Sequence, residues 1–222
     1  MIKLNNCFDL LFGGGLQDGV LTQLYGPPGS GKTNLCLIAT CAAASDGKVV
    51  YIDPEGGFSV ERLRQIAGEN FKKVLENLLL VEPTTFDEQK VALKKLDDIV
   101  PQTHARLVVV DGVGMLYRIE EDKDIKELGR ILAQLLRIAR KYGLPVLLTN
   151  QIYTDIGTHK NVPIGGIINE YWSKIIIELG INDDGTRYAV LKKHLSQPEG
   201  IRAGYRIINE GISSGLTETV RY

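Results

Sequence analysis

Cysteine is scarce in this chain of 222 residues: there are three, Cys7, Cys36 and Cys41. An odd set without C-x-x-C spacing excludes a disulfide framework and predicts reduced, buried thiols in a cytoplasmic protein. The histidines, His104, His159 and His194, lie far apart, so no paired zinc-ligand spacing is present. Long hydrophobic runs are also missing. No stretch approaches the ~18 apolar residues of a membrane span. Asp9 interrupts the one hydrophobic segment near the start, which argues against a secretory leader. Net charge is nearly absent, at -1, so any contact with nucleic acid must use a local patch. Internal repeats, low-complexity tracts and a linker that could divide two domains are lacking, and a single domain of this length buries roughly 70% of its unfolded surface.

What the chain does have is alternation of short β-rich runs with longer helical patterns. Strands are expected at Val20 to Tyr25, Val49 to Asp53, Leu78 to Val81, Leu107 to Asp111 and Val146 to Asn150. Several are continuously apolar, as parallel strands covered on both faces require. Thr85 with Glu88 forms a capping box opening a helix to about Val100. Ile125, Leu128, Leu132, Leu135, Leu136, Ala139 and Tyr142 make a core-facing helical stripe, ended by Gly143 and Pro145. After Gln151 the pattern changes to a hairpin, Ile175 to Leu179 and Arg187 to Lys193 around Asn182-Asp183-Asp184-Gly185, with a further strand at Tyr205 to Ile208. The predicted class is α/β: a mostly parallel, doubly wound sheet extended by antiparallel strands at its C-terminal side.

The densest chemical signal is Gly26-Pro27-Pro28-Gly29-Ser30-Gly31-Lys32-Thr33, a full G-x-x-x-x-G-K-[ST] pattern. Its glycines let backbone N–H groups turn inward around phosphates, Lys32 supplies a point charge, and Thr33 offers a hydroxyl to Mg²⁺. The apolar helix that follows, opening at Asn34, aims its positive end at the same place. A strand before and a helix after are the context this loop needs, and they predict binding of ATP with Mg²⁺.

Ligands of open parallel sheets gather at the carboxyl ends of the strands. Asp111 ends an apolar strand and is a second candidate for Mg²⁺, against a plain strand-terminal turn residue. Glu55, in Tyr51-Ile52-Asp53-Pro54-Glu55-Gly56-Gly57, is a candidate to orient and deprotonate an attacking water; the alternative is a solvated turn acid. Asp53 reads as structural. Gln151, after Thr149-Asn150, offers an amide to a γ-phosphate or merely caps the strand.

Together these pieces resemble the ATPase core of the RecA/RadA recombinases over nearly the whole chain. Leu10-Leu11-Phe12-Gly13-Gly14-Gly15 resembles the family's entry segment, and Glu61-Arg62-Leu63 after Phe58 is similar to the stretch carrying its adenine-stacking arginine. Pro163-Ile164-Gly165-Gly166 resembles the second DNA-binding loop. The resemblance implies a RecA-like P-loop NTPase in which Glu55 is the catalytic base, Lys32 and Gln151 contact the phosphates, Arg62 stacks on the base, and the segments near Tyr117-Arg118 and from Tyr153 to Gly166, with His159 and Lys160, face DNA.

Departures from the family narrow the expected function. Residues 1–19 are all that precede the first expected strand, so the small amino-terminal DNA-binding domain is expected to be absent. No phenylalanine is followed three residues later by alanine, the plug of RadA-like filaments. The first DNA loop, Arg118 to Glu127, is rich in acids that repel phosphates. Tyr171 stands where related recombinases place a histidine that feels a neighbouring subunit's phosphate. Arg187, Lys192, Lys193, Arg202 and Arg206 with His194 form the best basic patch. It reads as a DNA contact, as an interface lid including Pro198, or as a strand edge protected by charge. The expectation is an ATP-binding, slowly hydrolysing protein that binds DNA, single-stranded by preference, and assists homologous recombination and repair beside a RadA-type recombinase, with homo-oligomers open. A self-sufficient strand-exchange ATPase and a nucleotide-switched regulator that never touches DNA are the alternatives.

Overall fold

The computed structural model describes residues 1–120, 124–154 and 161–219. A short helix, α1 (Phe8–Leu11), precedes strand β1 (Leu21–Tyr25), which runs through the glycine-rich loop into helix α2 (Lys32–Ala44). Strand β2 (Val49–Ile52) leads to two short helices, α3 (Val60–Ala67) and α4 (Phe71–Asn77), and then β3 (Leu78–Val81). Helix α5 (Phe86–Thr103), strand β4 (Leu107–Asp111), helices α6 (Met115–Ile119) and α7 (Ile125–Tyr142), and strand β5 (Val146–Asn150) complete the alternation.

Beyond β5 come a ribbon, β6 (Ile152–Thr154) with β7 (Asn161–Pro163), and helix α8 (Ile167–Trp172). Four long strands close the chain: β8 (Ile175–Ile181), β9 (Arg187–Lys193), β10 (Ile201–Ile208) and β11 (Gly211–Thr219). Nine strands form one sheet in the order β11-β10-β9-β8-β1-β5-β4-β2-β3. β8, parallel to β1, turns the sheet over to the antiparallel run β9 to β11. The expected class therefore holds: α/β, mostly parallel, extended by antiparallel strands at the C-terminal side.

Two apolar layers sandwich the parallel strands because successive side chains point to opposite faces. Leu107, Val109 and Leu147 join Leu35, Leu37 and Ala39 of α2 in one layer. Val108, Val110, Val146 and Leu148 join α5 and α7 in the other. The first layer continues under the extension through Leu179, Ala189, Leu191, Ala203 and Tyr205. Among the described residues, none of β8 to β11 belongs to the second layer.

Local signals explain most boundaries. Thr85 accepts the Glu88 amide at 3.2 Å, but the Glu88 carboxylate reaches the amide and hydroxyl of Thr84, both at 2.8 Å, instead of closing a box on Thr85. Pro101 does not stop α5. Its missing N–H would orphan the Asp97 carbonyl, and the Tyr142 hydroxyl donates to that oxygen at 2.8 Å. Leu128, Leu132, Leu135, Leu136 and Ala139 of the α7 stripe are buried, whereas Ile125 at its first turn is exposed. The last region departs most from expectation: β10 begins at Ile201, four residues before the expected Tyr205, and β11 was not foreseen. It alternates weakly and carries Ser213, Ser214 and Gly215, residues poor in β propensity.

Candidate nucleotide site

Gly29 and Gly31 of the loop have φ of +76° and +100°, which side chains disfavour. Gly26 is needed for another reason: a Cβ there would lie 2.3 Å from the Leu179 carbonyl oxygen. The backbone N–H groups of Gly29, Gly31, Lys32 and Thr33 have no acceptor among the described residues, and the Ser30 hydroxyl is buried without a partner. A concave set of unpaired donors at a helix N-terminus suits a phosphate. Lys32 is folded back on this loop, donating to the carbonyls of Gly26 at 2.8 Å and Pro27 at 3.0 Å. Burial pushes its pKa down, opposed by the charges of Glu55 and Asp111. An arriving polyphosphate would offer the ammonium stronger acceptors than two carbonyls.

Asp111 lies at the end of β4, fully surrounded. Tyr51 donates to one carboxylate oxygen at 2.8 Å and Thr149 to the other at 2.6 Å, and the Thr33 hydroxyl lies nearby. Burial raises its pKa while these three hydroxyls resist the rise. Thr33 and Asp111 thus place a hydroxyl and a carboxylate near each other beside the unpaired amides, a donor set that fits Mg²⁺ shared with phosphate oxygens. Tyr51 and Thr149 escaped sequence reasoning. The β4–β5 register, which sets Asp111 opposite Thr149, is the signal that would have found the latter.

Glu55 and Gln151 meet side by side, the amide nitrogen of Gln151 donating to the Glu55 carboxylate. Asp53 shapes this turn by accepting the amides of Glu55 at 3.2 Å and Phe58 at 2.7 Å. Gly112 leaves room for Glu55: a Cβ there would come 3.0 Å from its carboxylate. Burial raises the Glu55 pKa, Asp111 adds to the rise, and Lys32 opposes it. A carboxylate made more basic by burial, next to a loop of phosphate donors, is placed to accept a proton from water.

Arg62 sits on α3, where Ser59 caps its amide at 3.1 Å. Its guanidinium donates to Asn34 Oδ1 at 2.8 Å and to the carbonyls of Ile208, Asn209 and Gly211 at 2.6, 3.0 and 3.2 Å. Asn34 in turn donates to the Gly211 carbonyl at 3.2 Å. Both residues are thereby tied to the β10–β11 turn, which leaves the flat face of Arg62 for any contact with a base.

Residues 3–215 match the Rad51 family. The chain belongs to that family. A DNA repair and recombination protein RadB of Methanosphaera stadtmanae is 40% identical over 220 residues, 96% of this chain and 95% of that protein. Another RadB, from Methanobrevibacter smithii, is 43% identical over 221 residues, 95% of this chain and 94% of its own length. A crystal structure titled as the RadB recombinase superposes with a TM-score of 0.84 at 41% identity, covering 96% of this chain and 98% of that one. The Rad51 family membership makes the fold a RecA-like P-loop NTPase, with RadB proteins among its relatives.

Against that family frame, the segments expected to face DNA divide. Tyr117 is buried and packs on Phe86 with ring centroids 5.8 Å apart, so it belongs to the core; Arg118 beside it is exposed. Tyr153 on the β6–β7 ribbon is exposed, while Gly157, His159 and Lys160 lie outside the described residues. The Ile164 carbonyl accepts from Asn150 at 2.7 Å and Asn169 at 2.6 Å, linking the end of β5 to the exit of that segment. Tyr171 is 70% exposed and meets Trp172 edge-on at 5.0 Å. The basic patch is not one surface. Lys192 pairs with Glu178 at 3.3 Å, Lys193 bonds the Glu170 carbonyl, and Arg202 stacks on Tyr188 at 4.2 Å. His194 uses Nδ1 to accept the amides of Ser196 and Gln197, both at 3.0 Å.

Proposed function

We propose that this chain binds Mg·ATP in the Gly26–Thr33 loop, hydrolyses it slowly, and assists homologous recombination and DNA repair as a mediator beside a full recombinase. The observation that carries the reading is the set of four loop amides with no acceptor among the described residues, beside the folded-back Lys32 and the buried Asp111 carboxylate, with the bonded Glu55–Gln151 pair near Lys32. Thr33 and Asp111 would hold Mg²⁺, which supplies neutralising charge for the transferring phosphoryl group. Lys32 would leave its two carbonyls for phosphate oxygens. Glu55 would orient water and take its proton, and Gln151, bonded to Glu55, would carry the state of that site to β6 and β7. The RadB relatives are named for DNA repair and recombination; three free cysteines suit a reducing cytoplasm.

Slow turnover follows from what surrounds the bound phosphate. Tyr171 brings no positive charge to a neighbouring subunit's nucleotide, and hydrolysis in such sites gains most from added cations. Single-turnover hydrolysis is expected below about 1 s⁻¹, the lower end of ordinary enzymes.

Trp172 is the only tryptophan and stands on α8, after the β6–β7 ribbon. Its fluorescence should change on adding Mg·ATP and again on adding oligo-dT. Silence to both ligands contradicts the coupling of nucleotide to ribbon. A response to Mg·ATP with no binding of oligo-dT at low salt favours a nucleotide-switched regulator that acts without DNA.

A further inference from the structure

The phosphate loop does not stand free on its strand and helix; it rests on the antiparallel extension. A Cβ built on Gly29 would lie 3.8 Å from Ile181, and one on Gly31 would lie 3.2 Å from Ile207 and 3.7 Å from the Tyr205 ring. Two polar contacts join these apolar ones. Arg187 Nε donates to the Gly29 carbonyl at 2.9 Å, and the Tyr205 hydroxyl donates to the Ser30 carbonyl at 2.6 Å. Arg187 and Tyr205 are direct partners across the β9–β10 ladder, so one cross-strand pair grips two consecutive carbonyls of the loop.

Peptide planarity turns this grip into a constraint on the donors. In a trans peptide the C=O of one residue and the N–H of the next point in opposite directions. Holding the Gly29 and Ser30 oxygens toward the extension therefore turns the N–H groups of Ser30 and Gly31 to the other side, where that of Ser30 closes a turn on the Pro27 carbonyl at 3.3 Å and that of Gly31 meets no acceptor among the described residues. Glycines at positions 29 and 31 give the loop many other conformations. Fixing the loop before the ligand arrives removes that ordering cost from binding.

We propose that Arg187 and Tyr205 are positioning residues for the nucleotide: a brace, built from the antiparallel extension, that preorganises the phosphate loop. The proposal rests on the reading that this loop binds Mg·ATP. It gives Arg187 a task on its own chain, distinct from the DNA contact expected of the basic patch. Its geometry depends on two donors of different kinds, one at the protein surface and one buried in the core. The two can be removed independently.

The test compares parent protein, Arg187→Ala, Arg187→Lys and Tyr205→Phe in calorimetric titrations with Mg·ATP and Mg·ADP. Loss of a hydrogen bond that organises a charged site predicts a dissociation constant raised roughly ten-fold in Arg187→Ala and in Tyr205→Phe. The factor should be the same for both nucleotides, since both present a β-phosphate to the loop. Arg187→Lys, which keeps a donor, should recover part of the affinity. In ¹⁵N spectra of the ligand-free variants the changed amides should centre on Ser30 and Gly31. Dissociation constants within two-fold of the parent in both Arg187→Ala and Tyr205→Phe overturn the brace. So does a loss of affinity accompanied by amide changes spread through the whole core, which marks general destabilisation. A parent protein that binds neither nucleotide overturns the nucleotide reading itself, a distinct result.

Discussion

β4 and β5 are buried at every residue, whereas β10 alternates from Ile201 to Arg206 between buried and more open positions and has no buried residue after Tyr205. The contrast extends to what each half of the sheet provides. The parallel half ends in the groups proposed to react: Asp111 at the end of β4, Gln151 after β5, Glu55 after β2, and the loop after β1. The antiparallel extension provides no such group. It holds the others in place, through Arg187 and Tyr205 on the loop carbonyls and through the β10–β11 turn on Arg62 and Asn34. Chemistry and support are thus divided between two halves of one sheet.

Substitutions on either side of that division can break or sharpen it. The largest effect belongs to the parallel half. Glu55→Gln should lower single-turnover hydrolysis by about 10²- to 10⁴-fold, the usual contribution of a positioned base, and leave Mg·ATP affinity nearly unaltered. Because burial and Asp111 raise the Glu55 pKa, the acid limb of the parent's hydrolysis should lie above the ordinary carboxylate range, with activity lost as pH falls through it. An acid limb at the usual carboxylate value would show that Glu55 is not the base. A smaller effect belongs to the extension. Arg62→Ala frees the β10–β11 turn and should weaken Mg·ATP several-fold, a cost of about 1 kcal/mol, while the hydrolysis rate of bound ATP changes little. Equal losses of binding and rate would erase the proposed division.

The smallest effect lies far from both. Asp97 is held well below the usual carboxylate range, first by Arg137 and then by Lys141. A lowered folded-state pKa contributes stability above the unfolded value, and that contribution fades as pH falls toward the folded one. Asp97→Asn should therefore lower the melting midpoint at pH 7 by only a few degrees, as expected of less than about 1 kcal/mol at an open ion pair. The difference from the parent should vanish in acid. A penalty as large at pH 2 as at pH 7 would mean the side chain acts through packing.

The same division governs what could be read in advance. Leu107 to Asp111 and Val146 to Asn150 announce themselves as continuous apolar runs, and the residues that follow such runs are natural candidates for chemistry. Lys32, Thr33, Asp111, Glu55 and Gln151 were singled out together for that reason, and in the structure Gln151 bonds Glu55 while Lys32 lies near both Glu55 and Asp111. Arg187 and Tyr205 were not legible as supports. Their contacts with Gly29 and Ser30 close loops of more than 150 residues, and only the β9–β10 register pairs them. Tyr117 misled in the opposite sense. The family resemblance turned the segment near Tyr117-Arg118 toward DNA, yet the first turn of α5 brings Phe86 over the Tyr117 ring.

Calorimetric titration of the parent protein and of Lys32→Ala with Mg·ATP tests the central claim most directly. One saturable site per chain in the parent, abolished or weakened at least a hundred-fold without the ammonium, is the predicted result. A parent that releases no heat of binding, or a variant that binds as tightly as the parent, would contradict the account.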